Sequence, residues 1–154
     1  TNANDAVNFS SLAIRQIKIS TCATDTSTSM TSYQDTGLEG SITLNHSDSK
    51  IIVVANAFTG AQANGLTLRY QFLEIYNNSS ATQICERAVG RVLVSSSTTA
   101  GFSYSSATVI GTETPGAGTY TYKLRHKSAN ANSTSHIYSA TGVQAVMVIL
   151  ECAP

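Results

Sequence analysis

The sequence predicts an all-β domain, a sandwich of two sheets built from eight to ten short antiparallel strands. Three observations carry this expectation. Ser and Thr together number 41 of 154 residues, and with β-branched and aromatic side chains they suit pleated strands. Charged residues are only 12%, too few for helices, whose exposed faces are normally built from Glu, Lys and Arg. Turn clusters recur about every ten residues between short alternating runs, the spacing of a sandwich or barrel.

Residues 1–10 are polar and aperiodic and read as an N-terminal arm. Residues 11–154 form one domain. Ala13 to Thr21 alternates and predicts the first strand. Thr36-Gly37 predicts a break before a short strand at Ser41–Leu44. Asn45-His46-Ser47-Asp48-Ser49 is a turn cluster. Ile51 to Phe58 is apolar on both pleat faces, which predicts cover on both. Leu66 to Phe72 places Leu66, Leu68, Tyr70 and Phe72 on one face and Thr67, Arg69 and Gln71 on the other, with Leu73 and Ile75 joining the second. Asn77 to Ser80 is a turn, and Thr82 to Val94 predicts one or two strands around Gly90. Phe102 to Ile110 is strand-like. Thr114-Pro115-Gly116 marks a loop. Thr119 to Lys127 alternates, with Tyr120, Tyr122, Leu124 and His126 on one face and Thr121, Lys123 and Arg125 on the other. A loop at 128–133, a short strand at His136–Tyr138 and a closing strand at Val143–Cys152 complete the chain.

Several functions are excluded or disfavoured by composition. Nine Lys/Arg balance nine Asp/Glu, so no basic footprint for nucleic acid is present. The longest apolar run, Ala145 to Leu150, is too short to insert as a membrane-spanning helix. No basic segment followed by an apolar one opens the sequence, so a signal peptide is not expected.

Cys22, Cys85 and Cys152 are 63 and 67 residues apart, without the close pairs of a zinc site. The first and last strands are expected to run antiparallel, which sends Cys22 and Cys152 to opposite ends. Three free cysteines are predicted, with Cys85 the most buried.

Several segments resemble a known family. They are Ser32-Tyr33-Gln34-Asp35-Thr36-Gly37-Leu38, Ser49-Lys50-Ile51-Ile52-Val53, Thr114-Pro115-Gly116-Ala117-Gly118-Thr119-Tyr120-Thr121-Tyr122-Lys123-Leu124, and the closing Val146-Met147-Val148-Ile149-Leu150-Glu151. In that order, over roughly residues 12–152, they are similar to a family of small β-domains of tailed, especially marine, bacteriophages, often found at tail-fibre ends. The Asn-Arg-Ser element common in the family is replaced here by Ser135-His136-Ile137-Tyr138-Ser139. The resemblance implies a jelly roll akin to the tumour necrosis factor and complement head domains, which assemble as trimers. It implies a structural protein on the virion exterior, assembled in the host cytoplasm, at a fibre tip or as a capsid decoration. It supplies no catalytic residues and no cofactor.

Candidate sites were weighed on the residues. No G-x-S-x-G occurs and His is limited to His46, His126 and His136, so a Ser–His–Asp triad is not expected. Asp25, Asp35 and Asp48 sit in turn-like contexts that Asx capping explains. A hairpin centred near Ala131 would set His126 opposite His136, a two-ligand start for a metal site that zinc would need to extend. Tyr120, Tyr122, Tyr70, Phe72 and Tyr76 could stack on a glycan or fill a core or interface. Tyr120, Tyr122, Leu124, Ile51, Val53 and Met147 are the candidate residues of an oligomer interface. The expected partners are two further copies in a homotrimer, other virion proteins through the arm, and a host surface glycan. The alternative function is a secreted carbohydrate-binding β-sandwich module; an enzyme is not expected.

Overall fold

The computed structural model describes residues 14–63, 68–93, 101–139 and 143–154. The predicted arm at 1–10 lies outside them. Ten strands run through the described residues: β1 (Ile14–Cys22), β2 (Thr26–Thr28), β3 (Gln34–Leu44), β4 (Lys50–Ala63), β5 (Leu68–Asn77), β6 (Thr82–Leu93), β7 (Gly101–Glu113), β8 (Gly118–Ser128), β9 (Ser133–Tyr138) and β10 (Ala145–Cys152).

The strands form two antiparallel sheets. In the first, the order is β1-β10-β4-β9-β2, with β7 also on β4. The registers simplify this. β7 pairs with β4 along its length from Ile51 to Ala63. The opposite edge of β4 is shared: β10 takes Lys50–Asn56 and β9 takes Phe58–Ala63. β1 lies on β10 and β2 lies on β9. The sheet is therefore four rows wide: β1/β2, β10/β9, β4 and β7. The second sheet is β3-β8-β5-β6. Eight rows in this order make a jelly roll, as expected.

The core lies between the sheets. From the first sheet come Ile51, Val53, Ala55, Ala57, Val109, Ile137, Met147 and Ile149; from the second come Leu38, Ile42, Leu44, Leu73, Ile75, Tyr122 and Leu124. This placement corrects the expected interface set. Tyr122, Leu124, Ile51, Val53 and Met147 are buried between the chain's own two sheets, so they present nothing to another subunit. Tyr120 alone of the six keeps partial exposure, and its hydroxyl donates to Pro115 O at 2.8 Å.

Thr36-Gly37 does not interrupt β3. The register shifts between Asp35 and Glu39, and Gly37 takes φ +82°, so the break is absorbed as a bulge. Thr36 Oγ1 secures it, donating to Leu124 O at 2.7 Å. Gly90, at φ +63°, is likewise a bulge inside a single β6. In β5 the buried row is Gln71, Leu73, Ile75 and Asn77, while Tyr70 and Phe72 turn outward. On the outer row the rings of Phe72 and Tyr76 are covered by Lys127 and Arg125.

Candidate functional site

The two outer faces of the sandwich differ in chemistry. On the second sheet, every other residue of β8 turns outward, giving a row of Thr119, Thr121, Lys123, Arg125 and Lys127. Each cation meets an acid. Lys123 Nζ lies 2.7 Å from Asp35 and 3.9 Å from Glu39, Arg125 binds Glu74, and Lys127 Nζ lies 3.8 Å from Glu86. The same cations cover rings. Arg125 sits 3.5 Å above the Tyr76 ring centre, and Lys127 sits 4.2 Å from that of Tyr33 and 4.9 Å from that of Phe72. Burial pushes the Glu74 carboxyl up, opposed by Arg125, while the Tyr33 hydroxyl holds Glu86 down. This face is a neutralised charge lattice.

The outer face of the first sheet has no such lattice. Reading across the registers, one row is Ile17, Leu150, Ile52 and Thr112; the next is Ile19, Val148, Val54 and Ile110; the third is Thr21, Val146, Asn56 and Thr108. Ile17, Ile19 and Ile110 are more than half exposed. Among the described outward residues of β2, β4, β7, β9 and β10 there is no Asp, Glu or Arg, and Lys50 stands at the rim. The expectation that Ile51–Phe58 and Ala145–Leu150 would be covered on both sides meets a half-exposed outer row at Ile52, Val54, Val146, Val148 and Leu150.

The far half of this face is aromatic. Phe58 of β4 lies opposite Tyr138 of β9, and Gly60 lies between His136 of β9 and Tyr104 of β7. Ring centres are 6.3 Å apart for Phe58–Tyr104 and Phe102–Tyr104, and 5.6 Å for Tyr104–Tyr138. His136 stacks on Tyr138 at 5.5 Å. Gly60 permits this arrangement: a Cβ there would stand 2.7 Å from Tyr138 Cε2 and 3.1 Å from Tyr104 Cδ1.

The sequence singled out other aromatics. Tyr122 is in the core, donating its hydroxyl to Glu113 at 2.5 Å, and burial together with that carboxylate pushes its pKa up. Tyr70, Phe72 and Tyr76 belong to the charged face. They do not converge with Tyr120 and Tyr122 on one platform. Phe58, Phe102, Tyr104 and Tyr138 were missed. The i, i+2 pairs Phe102/Tyr104 and His136/Tyr138 were visible, but only the adjacency of β7, β4 and β9 unites them.

The predicted His126–His136 pair does not form. β8 and β9 belong to different sheets, so the connection between them is a crossover and not a hairpin. His126 points into the core, with Nδ1 2.9 Å from Ser135 Oγ, which donates to Gln71 Oε1 at 2.6 Å. Burial lowers its pKa to about 4. His136 points out of the other sheet, and burial lowers its pKa as well. The two rings face opposite sides of the first sheet and cannot share an ion. Among the described residues, no group of three or more His, Cys, Asp or Glu could hold a metal.

Asp35 and Asp48 pair with Lys123 and Arg15, and Asp25 accepts from Ser139 N at 2.6 Å, so cross-strand partners hold these residues rather than local Asx capping alone. All three cysteines are free. Cys22 lies opposite Ala145 and Cys152 opposite Ile14, at the two ends of the β1–β10 pair. Cys152 is the buried one, and Cys85, at the β6 edge, is only half-buried.

No family model matches this chain, and no curated protein matches it. Among solved structures it is similar to three described as follows. "Structure of infectious bursal disease virus Gt strain" aligns at 11% identity and a TM-score of 0.29, over 90% of this chain and 42% of that one. "Structure of infectious bursal disease virus Gx strain" aligns at 14% identity and 0.26, over 90% and 38%. "Crystal structure of infectious bursal disease virus VP2 subviral particle" aligns at 12% identity and 0.26, over 90% and 41%. The chain spans about two fifths of the length of these chains.

Proposed function

We propose that this chain is a non-enzymatic structural subunit of a tailed-phage virion, displayed on the particle exterior as a homotrimer. The observation that carries the reading is the outer face of the β1/β2, β10/β9, β4, β7 sheet, where the described outward residues of β2, β4, β7, β9 and β10 include no Asp, Glu or Arg. Four rows at about 4.8 Å spacing and the 14 residues of β4 at about 3.3 Å each give a patch of about 19 Å by about 45 Å. That is about 850 Å², matching the roughly 800 Å² per partner of a stable interface. Within it Ile17, Ile19, Ile52, Val54, Val148, Leu150 and Ile110 form a contiguous aliphatic cluster, the kind of exposed patch that marks an interface. A second and third copy are the fitting cover, since a closed three-fold ring buries part of this face against a different surface of each neighbour. The sequence resemblance to phage tail-fibre and virion β-domains supports the setting, either a fibre tip or a capsid decoration.

The test is mass in solution. Light scattering should give three times the 16.2 kDa chain at micromolar concentration. Tyr104→Lys or Ile19→Lys, at exposed positions, should give a folded monomer. A monomeric parent, or a trimer untouched by both substitutions, refutes the interface. Labelling the protein on intact particles tests the virion setting separately.

A further inference from the structure

We infer that the cleft between the free edges of β6 and β7 is a binding site for a carboxylated sugar, a single hexuronate unit. Among the described residues each sheet ends here: β6 pairs only with β5, and β7 pairs only with β4. The two edges touch at one end, where a Cβ on Gly111 would stand 2.8 Å from Ile84 Cγ2. They part toward Gly90. The result is a wedge of about 420 Å³ lined by Arg87, Ala88, Val89, Gly90, Ser105, Ser106, Ala107 and Thr108, with a smaller pocket of about 330 Å³ beyond Arg87. The larger volume is in the range of small-molecule sites.

The wall is rich in donors. Arg87 donates Nη1 to Thr108 O at 2.8 Å, which sets the guanidinium at the neck of the wedge. Among the described residues no carboxylate pairs with it; the neighbouring Glu86 is held by Gln83 at 3.0 Å and by Lys127. Its remaining N–H groups are free to form a charge-assisted pair with a ligand carboxylate. Thr108 Oγ1 accepts from Asn56 at 2.8 Å on the outer face of the first sheet, so Thr108 lines the wedge through its backbone. Ser105 and Ser106 bring hydroxyls that are shared with Thr59 Oγ1 at 3.4 Å and with the Asn56 amide at 3.2 Å, each keeping a lone pair for a ligand hydroxyl. Behind Gly90 lies Gln71 Nε2, buried and without a partner, 2.9 Å from where a Gly90 Cβ would stand. An unsatisfied buried donor beside a polar cleft marks a place for an acceptor.

Two edge strands also offer backbone groups to an added peptide strand. The β6 edge is unsuited to that. Register shifts interrupt its pairing with β5 near Gly90 and again near Cys85, and bulges of this kind blunt an edge against strand addition. Hydroxyls, one unpaired cation and a wedge closed at one end fit a compact polyol acid.

The test is amide TROSY titration of the intact chain with methyl glucuronoside and methyl galacturonoside, beside methyl glucoside, acetate and phosphate. At least one uronoside should shift the amides of residues 87–90 and 105–108, saturating in the millimolar range. Arg87→Gln should weaken that binding at least tenfold. Ala88→Glu, at an exposed position on the lining, should weaken it as well without touching the Arg87 contact. Equal shifts by acetate or phosphate would reduce the site to a generic anion contact and overturn the sugar assignment. Binding of the neutral glucoside, binding that survives Arg87→Gln, or no shift with either uronoside would overturn it too. Subunit mass is read separately, so failure here leaves the assembly reading standing and the converse holds.

Discussion

Lowering the pH from 7 to 5 should cost this fold about 2 kcal/mol through His126. The ring is 1% exposed, buried between the sheets, with Ser135 and Gln71 as its polar neighbours. Its pKa is about 4 in the folded chain, against about 6.5 in the unfolded one. The unfolded chain therefore binds more protons between those values, and stability rises with pH there. Stability is complete above about pH 6.5 and falls progressively as pH drops toward 4. At pH 5 the unfolded ring is almost wholly protonated and the folded ring is not, a gap of about 1.5 pH units at about 1.4 kcal/mol each. Urea unfolding at pH 7 and pH 5 measures the loss for the parent and for His126→Gln, which keeps an amide in reach of Ser135 but does not titrate. The parent should lose about 2 kcal/mol more than the variant. Equal losses would show that His126 is not the group responsible, and a parent more stable at pH 5 would contradict the burial argument outright.

Tyr122→Phe removes one of the two donors that Glu113 receives, leaving Asn77 Nδ2 at 2.7 Å, and should cost about 1–3 kcal/mol by the same urea method. Ile149→Ala, in a fully buried core position, should cost about 2–5 kcal/mol through lost burial and a residual cavity. Gly60→Ala drives a methyl into Tyr138 and Tyr104, so, under the proposed assembly, it should lower the mass read by light scattering on dilution more than the fold content read by circular dichroism. Thiol titration of the unfolded, unreduced chain should find three thiols; finding one would reveal a disulfide.

The sheet pattern was legible because strands announce themselves by alternation and turns by Gly, Asn and Pro. Thr119 to Lys127 could be sorted into an inner and an outer row from its residues alone, and the structure keeps that sorting. Gln71 could not be sorted. A glutamine next to Phe72 reads as the outward residue until Ser135 from the other sheet is seen to bond its amide oxygen, and until Arg125 and Lys127 are seen to shelter the rings outside. The His126–His136 hairpin failed for a related reason. A short polar loop at 128–133 looks the same whether the chain turns back within a sheet or crosses to the other one. The outer apolar face was half visible: Ile51 to Phe58 announced two apolar sides, yet the residues named for an interface came from the side that the second sheet covers. Periodicity distinguishes the two sides of a strand but does not say which is inside.

The way β10 is threaded governs when this molecule can become itself. β1 has β10 as its hydrogen-bonded neighbour in the sheet, and Ile19 meets Val148 across 129 residues of chain. β4, too, has half of one edge filled by β10 and the other half by β9. While the ribosome is still making the middle of the chain, β1 and that edge of β4 stand open, with sticky aliphatic rows between them. Only the second sheet and the β4–β7 ladder can form early. Such distant pairings fold slowly. β10, the last of the ten described strands to be translated, is thus a keystone, and a nascent chain stalled before Ala145 is a chain with two unguarded edges, the species most apt to aggregate or to engage a chaperone.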